Sequence, residues 1–120
     1  MLFCYTGYMV TIHLTDKKCV ACEGGIPPLT KAQIAEYQPQ VPAWRVAADS
    51  LSIMRDFTFK NFKEAITFAD KVGDLAEEEG HHPVLTVRWG KVGIVLSTDA
   101  ISGLSENDFI LAAKVDRLLT

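Results

Sequence analysis

The sequence has no run of basic residues longer than the pair Lys17-Lys18, and its 15 acidic side chains outnumber 12 basic ones. A protein that binds nucleic acid needs a basic face that neutralises phosphates. The charge balance therefore argues against nucleic acid as a direct partner. A chain of 120 residues with 48% hydrophobic residues has the size and composition of one globular domain.

The sequence also lacks an apolar run of membrane length. The first twelve residues carry no charged side chain, but they are too short to span a bilayer. They have neither the basic start nor the small-residue cleavage site of a secretory signal. We therefore expect a cytoplasmic protein without membrane contact. Residues 1–14 are interpreted as an N-terminal extension, either disordered or, over residues 1–8, upstream of a true start at Met9, and residues 15–120 as a single domain.

Cysteine is scarce, with three residues at Cys4, Cys19 and Cys22. An odd number without a secretory signal does not indicate a disulfide framework. Cys19 and Cys22 have CxxC spacing, but no second CxxC or spaced histidine pair follows, so the zinc signal is weak. A zinc site and a reduced pair without a role both remain open, and the second is favoured.

Three capping-box patterns predict where the helices begin. They start at Thr30, Asn61 and Ser105, and each has a glutamine or an acidic residue three positions later. The first helix should cover residues 31–38. The second should bury a face formed by Phe62, Ala65, Ile66, Ala69, Val72 and Ala76 and end at Gly80. The third should run to about Leu119.

Alternating apolar residues predict strands between these helices. Residues 44–48 and 51–58 should form one hairpin, in which Arg55 interrupts the apolar side. Residues 84–89, with Leu85, Val87 and Trp89 on one side, and 92–96 should form another. The order α-β-β-α-β-β-α implies an α+β fold, in which a four-stranded antiparallel sheet carries the helices on one face.

The most informative short stretch is Gly80-His81-His82-Pro83, which joins the second helix to the third strand. Proline holds the preceding residue extended, so the two imidazoles should point to different sides, which disfavours one shared metal ion. Imidazole exchanges protons near neutral pH, and a proton-transfer site is therefore a sensible use of the pair. From these residues alone, two solvated loop histidines without a role remain the favoured interpretation.

The pattern around this pair resembles the pterin-4a-carbinolamine dehydratase family. That family is marked by a charged residue, three further residues, His-His-Pro, then an aromatic residue, a histidine or tryptophan, and an aspartate. The matching positions in this chain are Glu77, His81, His82, Pro83, Trp89 and Asp108. The segments Lys18 to Gly25 (KCVACEGG), Pro42-Ala43-Trp44 and Gly103 to Lys114 are also similar to the family.

The resemblance implies dehydration of 4a-hydroxytetrahydropterin to quinonoid dihydropterin, in the recycling of tetrahydropterin. It implies no metal, no cofactor, and a homodimer or homotetramer. His81 would act as general acid and base at the 4a-hydroxyl group. His82 would orient the pterin and share in proton transfer. Contacts to the pterin would come from Glu77, which would also set the charge of a histidine, and from Pro83, Trp89, Ser97, Thr98 and Asp108.

The chain departs from the family at Asp99, which stands where the third catalytic histidine is usual. A carboxylate can accept a proton there but is a poor donor near neutral pH, so we expect activity that is reduced or restricted to one stereoisomer. Two of these positions also have a purely structural interpretation. Asp108 could serve simply as a helix cap, and Trp89 could belong to the core. The alternative function is a binding or assembly protein on the dehydratase scaffold, and a pterin role in molybdenum-cofactor metabolism also stays open.

Overall fold

A computed structural model describes residues 13–20 and 24–119 of the chain. Within these residues the polypeptide forms three α-helices and a four-stranded sheet. In chain order the elements are α1 (Lys31–Tyr37), β1 (Arg45–Val46), β2 (Ile53–Thr58), α2 (Phe62–Glu79), β3 (Val84–Arg88), β4 (Lys91–Leu96) and α3 (Glu106–Arg117). Short 3-10 turns cover Leu14–Asp16, Gln38–Gln40 and Asp99–Ile101. The predicted order of helices and strands is therefore confirmed.

The sheet is antiparallel throughout, with the strand order β1-β2-β4-β3. The two hairpins meet because β2 pairs with β4 in the register Ile53↔Leu96. This pairing leaves β3 at one edge, bonded only to β4 among the described strands. The start of β3, just after the histidine pair, lies beside the end of β4, because Val84 pairs with Val95. The topology thus brings the histidines close to Ser97, Thr98 and Asp99.

The core lies between one face of the sheet and the helices. Alternate residues of β4 enter it, namely Val92, Ile94 and Leu96, and α3 contributes a nearly continuous buried run from Phe109 to Ala113. Burying one large apolar side chain of this kind stabilises the fold by about 2 kcal/mol. Leu14, which falls in the predicted extension, is also buried in this core. The proposed domain boundary at residue 15 remains a prediction.

Two sequence expectations about the core are wrong. Phe62 and Ile66 were placed on the buried face of α2 but are exposed, whereas Phe68 is buried and packs on Phe57. Trp89 was offered as a core residue, but it lies in the turn between β3 and β4 and is 72% exposed. The turn carries the tryptophan past the end of the strand, beyond the cover of the helices.

Arg55 does not disturb the register of β2. Its side chain lies on the helix side of the sheet, where the guanidinium stacks 4.3 Å above the Phe57 ring. Nη1 also donates to Oδ1 of Asp116 in α3 at 2.6 Å. The same carboxylate oxygen accepts from the indole N–H of the buried Trp44 at 2.9 Å. The arginine is tolerated because it is paired at the sheet–helix interface.

None of the helices within the described ranges has the length and apolar character required to cross a membrane.

Candidate active site

The histidine pair owes its position to the way α2 ends. Gly80 has φ of 69° and closes the helix in the left-handed conformation, which glycine adopts without steric cost. The backbone N–H of His81 still donates to the Ala76 carbonyl at 3.2 Å. His81 is therefore anchored to the end of the helix, while His82 and Pro83 lead into β3.

His81 is largely buried and contacts an aspartate from α3. Its side chain is 12% exposed, and Nε2 lies 2.6 Å from Oδ1 of Asp108. Asp108 is 0% exposed, and its other oxygen accepts from the Thr98 hydroxyl at 2.8 Å and from the Ser105 N–H at 3.0 Å. The Asp108 carboxylate is thus held on all sides by hydrogen-bond donors.

This geometry fixes the tautomer of His81. A carboxylate accepts hydrogen bonds, so Nε2 of His81 carries the hydrogen and donates it to Asp108. The other ring nitrogen, Nδ1, then holds a lone pair in the neutral ring and a proton in the imidazolium. An imidazole oriented in this way can act at Nδ1 as a base or as an acid.

His82 forms the second pair, with Glu77 in the last turn of α2. Its Nε2 contacts Oε2 of Glu77, and both side chains are exposed. The chain leaves the helix at Gly80, so the Glu77 carboxylate meets His82 and not His81. This pair is open to solvent, whereas the pair of His81 and Asp108 is enclosed.

Both histidines line one cleft of about 240 Å³. The segment from Ser97 to Ala100, where β4 ends, also lines it, and Val20, Gly80 and Asn107 complete the lining. A larger groove of about 500 Å³ lies between α1 and β1, but its lining contains Lys31 as its only ionisable side chain. The smaller cleft therefore holds the groups suited to proton transfer.

The predicted site residues divide into three groups. His81, His82, Ser97, Thr98 and Asp99 line the cleft. Asp108 and Glu77 stand behind the two imidazoles, where each orients one ring. Pro83 and Trp89 do not line the cleft.

Thr98 has little freedom to contact a ligand through its hydroxyl. Oγ1 bonds to both Asp108 and the Ser105 hydroxyl, and the backbone N–H donates to the Gly103 carbonyl at 2.7 Å. Asp99 differs from Thr98 in exposure. It begins the 3-10 turn and is an exposed residue on the cleft wall.

Sequence reasoning missed Val20 and Asn107 as lining residues. Asn107 directly precedes Asp108 in the Ser105 to Asp108 motif, and Val20 lies within the family-like segment after Lys18. These similarities were the available signals, but only the fold shows that the two segments meet.

Cys22 lies outside the described residues, so of the CxxC pair named from the sequence the structure describes only Cys19. Within the described ranges no group of three or more histidine, cysteine or acidic side chains is arranged to hold a metal.

A buried acid lies just behind the cleft. Glu79 accepts from the Cys19 N–H at 2.9 Å and from Lys114 at 2.7 Å. Burial would raise the pKa of Glu79, but the Cys19 amide and the ammonium groups of Lys114 and Lys18 outweigh it and hold the pKa below the ordinary value. Burial, followed by the Glu79 charge, raises the pKa of the Cys19 thiol to about 12. Both effects favour the protonated thiol of Cys19 over the thiolate.

Comparison with known proteins shows where this arrangement belongs. The model of the pterin 4 alpha carbinolamine dehydratase family matches residues 27–118. The chain belongs to this family. A protein of Rubrobacter xylanophilus, provisionally named pterin-4-alpha-carbinolamine dehydratase, is 47% identical over 106 residues, which is 88% of this chain and 98% of the relative. A protein of Methylococcus capsulatus with the same provisional name is 49% identical over 92% of this chain and 96% of its own length.

Solved structures of the family have the same fold. A transcriptional coactivator/pterin dehydratase from Brucella melitensis superposes with a TM-score of 0.72 at 27% identity, over 78% of this chain and 99% of its own. A pterin dehydratase-like protein, described as a RuBisCO assembly factor in the alpha-carboxysome, gives a TM-score of 0.55 at 27% identity, over 63% of this chain and 88% of its own. The α+β fold predicted from the sequence is therefore confirmed.

Proposed function

We propose that the chain dehydrates 4a-hydroxytetrahydropterin to quinonoid dihydropterin and water, and so serves tetrahydropterin recycling. The observation that carries the proposal is the enclosed pair of His81 and Asp108 in a cleft that His82 also lines. Family membership supports the pterin as substrate.

The reaction needs one proton delivered and one removed. The bond from C4a to the hydroxyl oxygen breaks, and that oxygen leaves as water after it receives a proton. N5 loses its proton, and its electron pair forms the double bond to C4a. His81, as an imidazolium, would protonate the hydroxyl group from Nδ1, because Nε2 is held by Asp108.

His82 would bind and orient the pterin and accept the second proton. Its contact with Glu77 keeps the ring in place but leaves it open to solvent, so a proton it gains can pass to water. Ser97 remains available for contact with the polar edge of the pterin, whereas the Thr98 hydroxyl is committed to Asp108. Asp108 would therefore act through His81 and not by touching the substrate.

Asp99 is the third proposed proton-transfer group, and it can act only as a base while it is ionised. A substrate isomer whose hydroxyl group faces Asp99 would then lack an acid. We therefore expect turnover to be reduced or restricted to one of the two C4a stereoisomers.

The alternative is a binding or assembly protein that has kept the dehydratase scaffold. The carboxylate at position 99 favours it, as does the structural likeness to the assembly factor. The enclosed histidine pair favours the enzyme, since a binding surface has no need of an imidazole held by a buried carboxylate.

A rate measurement separates the two functions. Chemically generated 4a-hydroxytetrahydropterin is mixed with wild type or Asp99→His, and its decay is followed for each stereoisomer. The enzyme accelerates the decay of one isomer, and Asp99→His extends the acceleration to the other. If the wild type leaves both decay rates at the uncatalysed value and Asp99→His restores turnover, the native chain is a binding protein.

We further propose that two copies associate through β3. This edge strand has no partner on its outer side in the described part of the chain, and Val84 and Trp89, near its two ends, are 65% and 72% exposed. The backbone N–H and C=O groups on such an edge can pair with the same strand of a second copy in an antiparallel arrangement.

A further inference from the structure

A short segment before α1 passes along the cleft and is held by two buried polar side chains. Lys18, Cys19 and Val20 form this segment, and Glu79 and Asn107 hold it. Glu79 lies two residues before His81, and Asn107 lies one residue before Asp108. The attachment points are therefore next to the two residues of the enclosed proton-transfer pair.

Asn107 binds Val20 as a neighbouring strand would. The Val20 N–H donates to Oδ1 at 3.0 Å, and Nδ2 donates to the Val20 carbonyl at 2.6 Å. Asn107 is buried, so its amide group would be left without partners if Val20 moved away. Both backbone groups of Val20 are thus fixed by one side chain.

Glu79 holds the preceding residue by the same principle. Oε1 accepts from the Cys19 N–H, and Oε2 accepts from Lys114 at 2.7 Å, while Lys18 lies 3.9 Å from that oxygen. Leaving any of these buried groups without a partner would be costly. The backbone at Cys19 and Val20 is consequently held from both α2 and α3.

The side chain that this arrangement presents is an exposed valine. Val20 is 72% exposed, although its backbone is fixed, and it lines the cleft. The other cleft side chains are mostly polar, namely the histidines, Ser97, Thr98, Asp99 and Asn107. A flat heterocycle has polar edges and apolar faces, so a cleft that binds one needs an apolar contact as well as hydrogen bonds.

We propose that Val20 contacts a face of the bound pterin ring and that Asn107 is the positioning residue that holds Val20 there. The inference rests on the proposed function, because it takes the pterin as the occupant of the cleft. Val20 gives the cleft its apolar wall, and Asn107 connects this wall to the helix that carries Asp108.

A contact between Val20 and the ring face should affect substrate binding and not the chemical step. A valine that touches a ring face makes the same contact in the substrate and in the transition state, so its loss raises KM and leaves kcat unchanged. Removing two methyl groups from a contact costs about 10-fold in affinity, at about 0.8 kcal/mol for each. Asn107→Asp keeps the acceptor for the Val20 N–H but removes the donor to its carbonyl, and should act in the same direction.

The test compares Val20→Ala, Asn107→Asp and the control Ile26→Ala, whose isoleucine is exposed outside the cleft lining. We expect KM to rise by about 5- to 10-fold in the first two, with kcat within about twofold of wild type, and no change in the control. An unchanged KM in Val20→Ala, or a fall in kcat alone, would overturn the inference. Val20 is exposed, so this variant should fold as the wild type does.

Binding of oxidised biopterin, measured by fluorescence titration, keeps this inference separate from the proposed function. If the wild type binds biopterin but does not accelerate dehydration, the catalytic proposal fails. Weaker binding by Val20→Ala would still support the contact in that case. Equal binding by wild type and Val20→Ala would contradict it whatever the catalytic result.

Discussion

At the scale of single residues, burial distinguishes the two histidines. His81 is held by a carboxylate that is closed off from water, whereas His82 and Glu77 face solvent. An exposed ion pair contributes at most about 1 kcal/mol, and an enclosed charge-assisted hydrogen bond contributes more. The buried pair should therefore dominate the chemistry.

This difference predicts unequal effects of two amide substitutions. Asp108→Asn offers Nε2 of His81 an amide and favours the wrong tautomer, so kcat should fall by about 100-fold. Glu77→Gln keeps a hydrogen-bond acceptor at an exposed site and should change kcat by less than about threefold. Steady-state kinetics on 4a-hydroxytetrahydropterin measures both, and similar losses in the two variants would contradict the assignment of roles.

Of the residues that the sequence and the family resemblance named, His81, His82 and Ser97 to Asp99 line one cleft, and their roles there stay predictions. The pairing of Asp108 with His81 depends on α3 lying across the end of α2, a tertiary contact that no local spacing reveals. Val20 was missed for the same reason, because nothing near it in the sequence indicates a distant asparagine.

At the scale of elements, capping chemistry explains why the helix starts were predicted well. The Gln33 N–H donates to the Thr30 hydroxyl, the Glu64 N–H donates to Asn61, and Asp108 accepts from the Ser105 N–H. The buried face of α2 was harder to predict, since its surface contains more apolar residues than the sheet covers. Phe62 and Ile66 lie outside the covered stripe.

Glu79 links the N-terminal segment to α2 and α3, and its ionisation should contribute to stability. Its pKa is depressed in the folded state, so the contribution is complete above the ordinary value of 4.5 and is lost as pH falls through the folded pKa. Glu79→Gln should lower the free energy of unfolding by about 2 kcal/mol at pH 7. The difference from wild type should shrink below pH 4.5.

Urea unfolding at several pH values measures this difference, with Glu36→Gln as a control at an exposed glutamate. The control should track the wild type at every pH. A Glu79→Gln deficit that stays constant from neutral to acidic pH would show that the carboxylate charge contributes nothing.

At the scale of the whole molecule, the outer edge of β3, which no other described strand covers, predicts self-association. Val84→Lys places a charge on this edge strand and should lower the dimer affinity by at least about 10-fold, since burying a lysine in an interface is unfavourable. Sedimentation velocity over a range of concentrations measures it, with Ile26→Lys as a surface control. Unchanged association of Val84→Lys would place the interface elsewhere.

The whole fold was predictable because local signals agreed with one another. Two hairpins and three capped helices leave few arrangements with one buried core. The strand order was not predicted, because the pairing of β2 with β4 joins residues far apart in the sequence. That pairing leaves β3 at the edge of the sheet and brings the end of β4 beside the histidines. It therefore determines both which strand lies at the edge and where the candidate active site forms.

The central claim is that an imidazole in the cleft transfers protons to a pterin, and the decay rate of 4a-hydroxytetrahydropterin with His81→Ala tests it most directly. His13→Ala is the matched control, because His13 is exposed and outside the cleft lining. We expect His81→Ala, verified as folded by circular dichroism, to lose about 100-fold or more of the wild-type acceleration, and His13→Ala to lose none. Equal acceleration by wild type and His81→Ala would contradict the account.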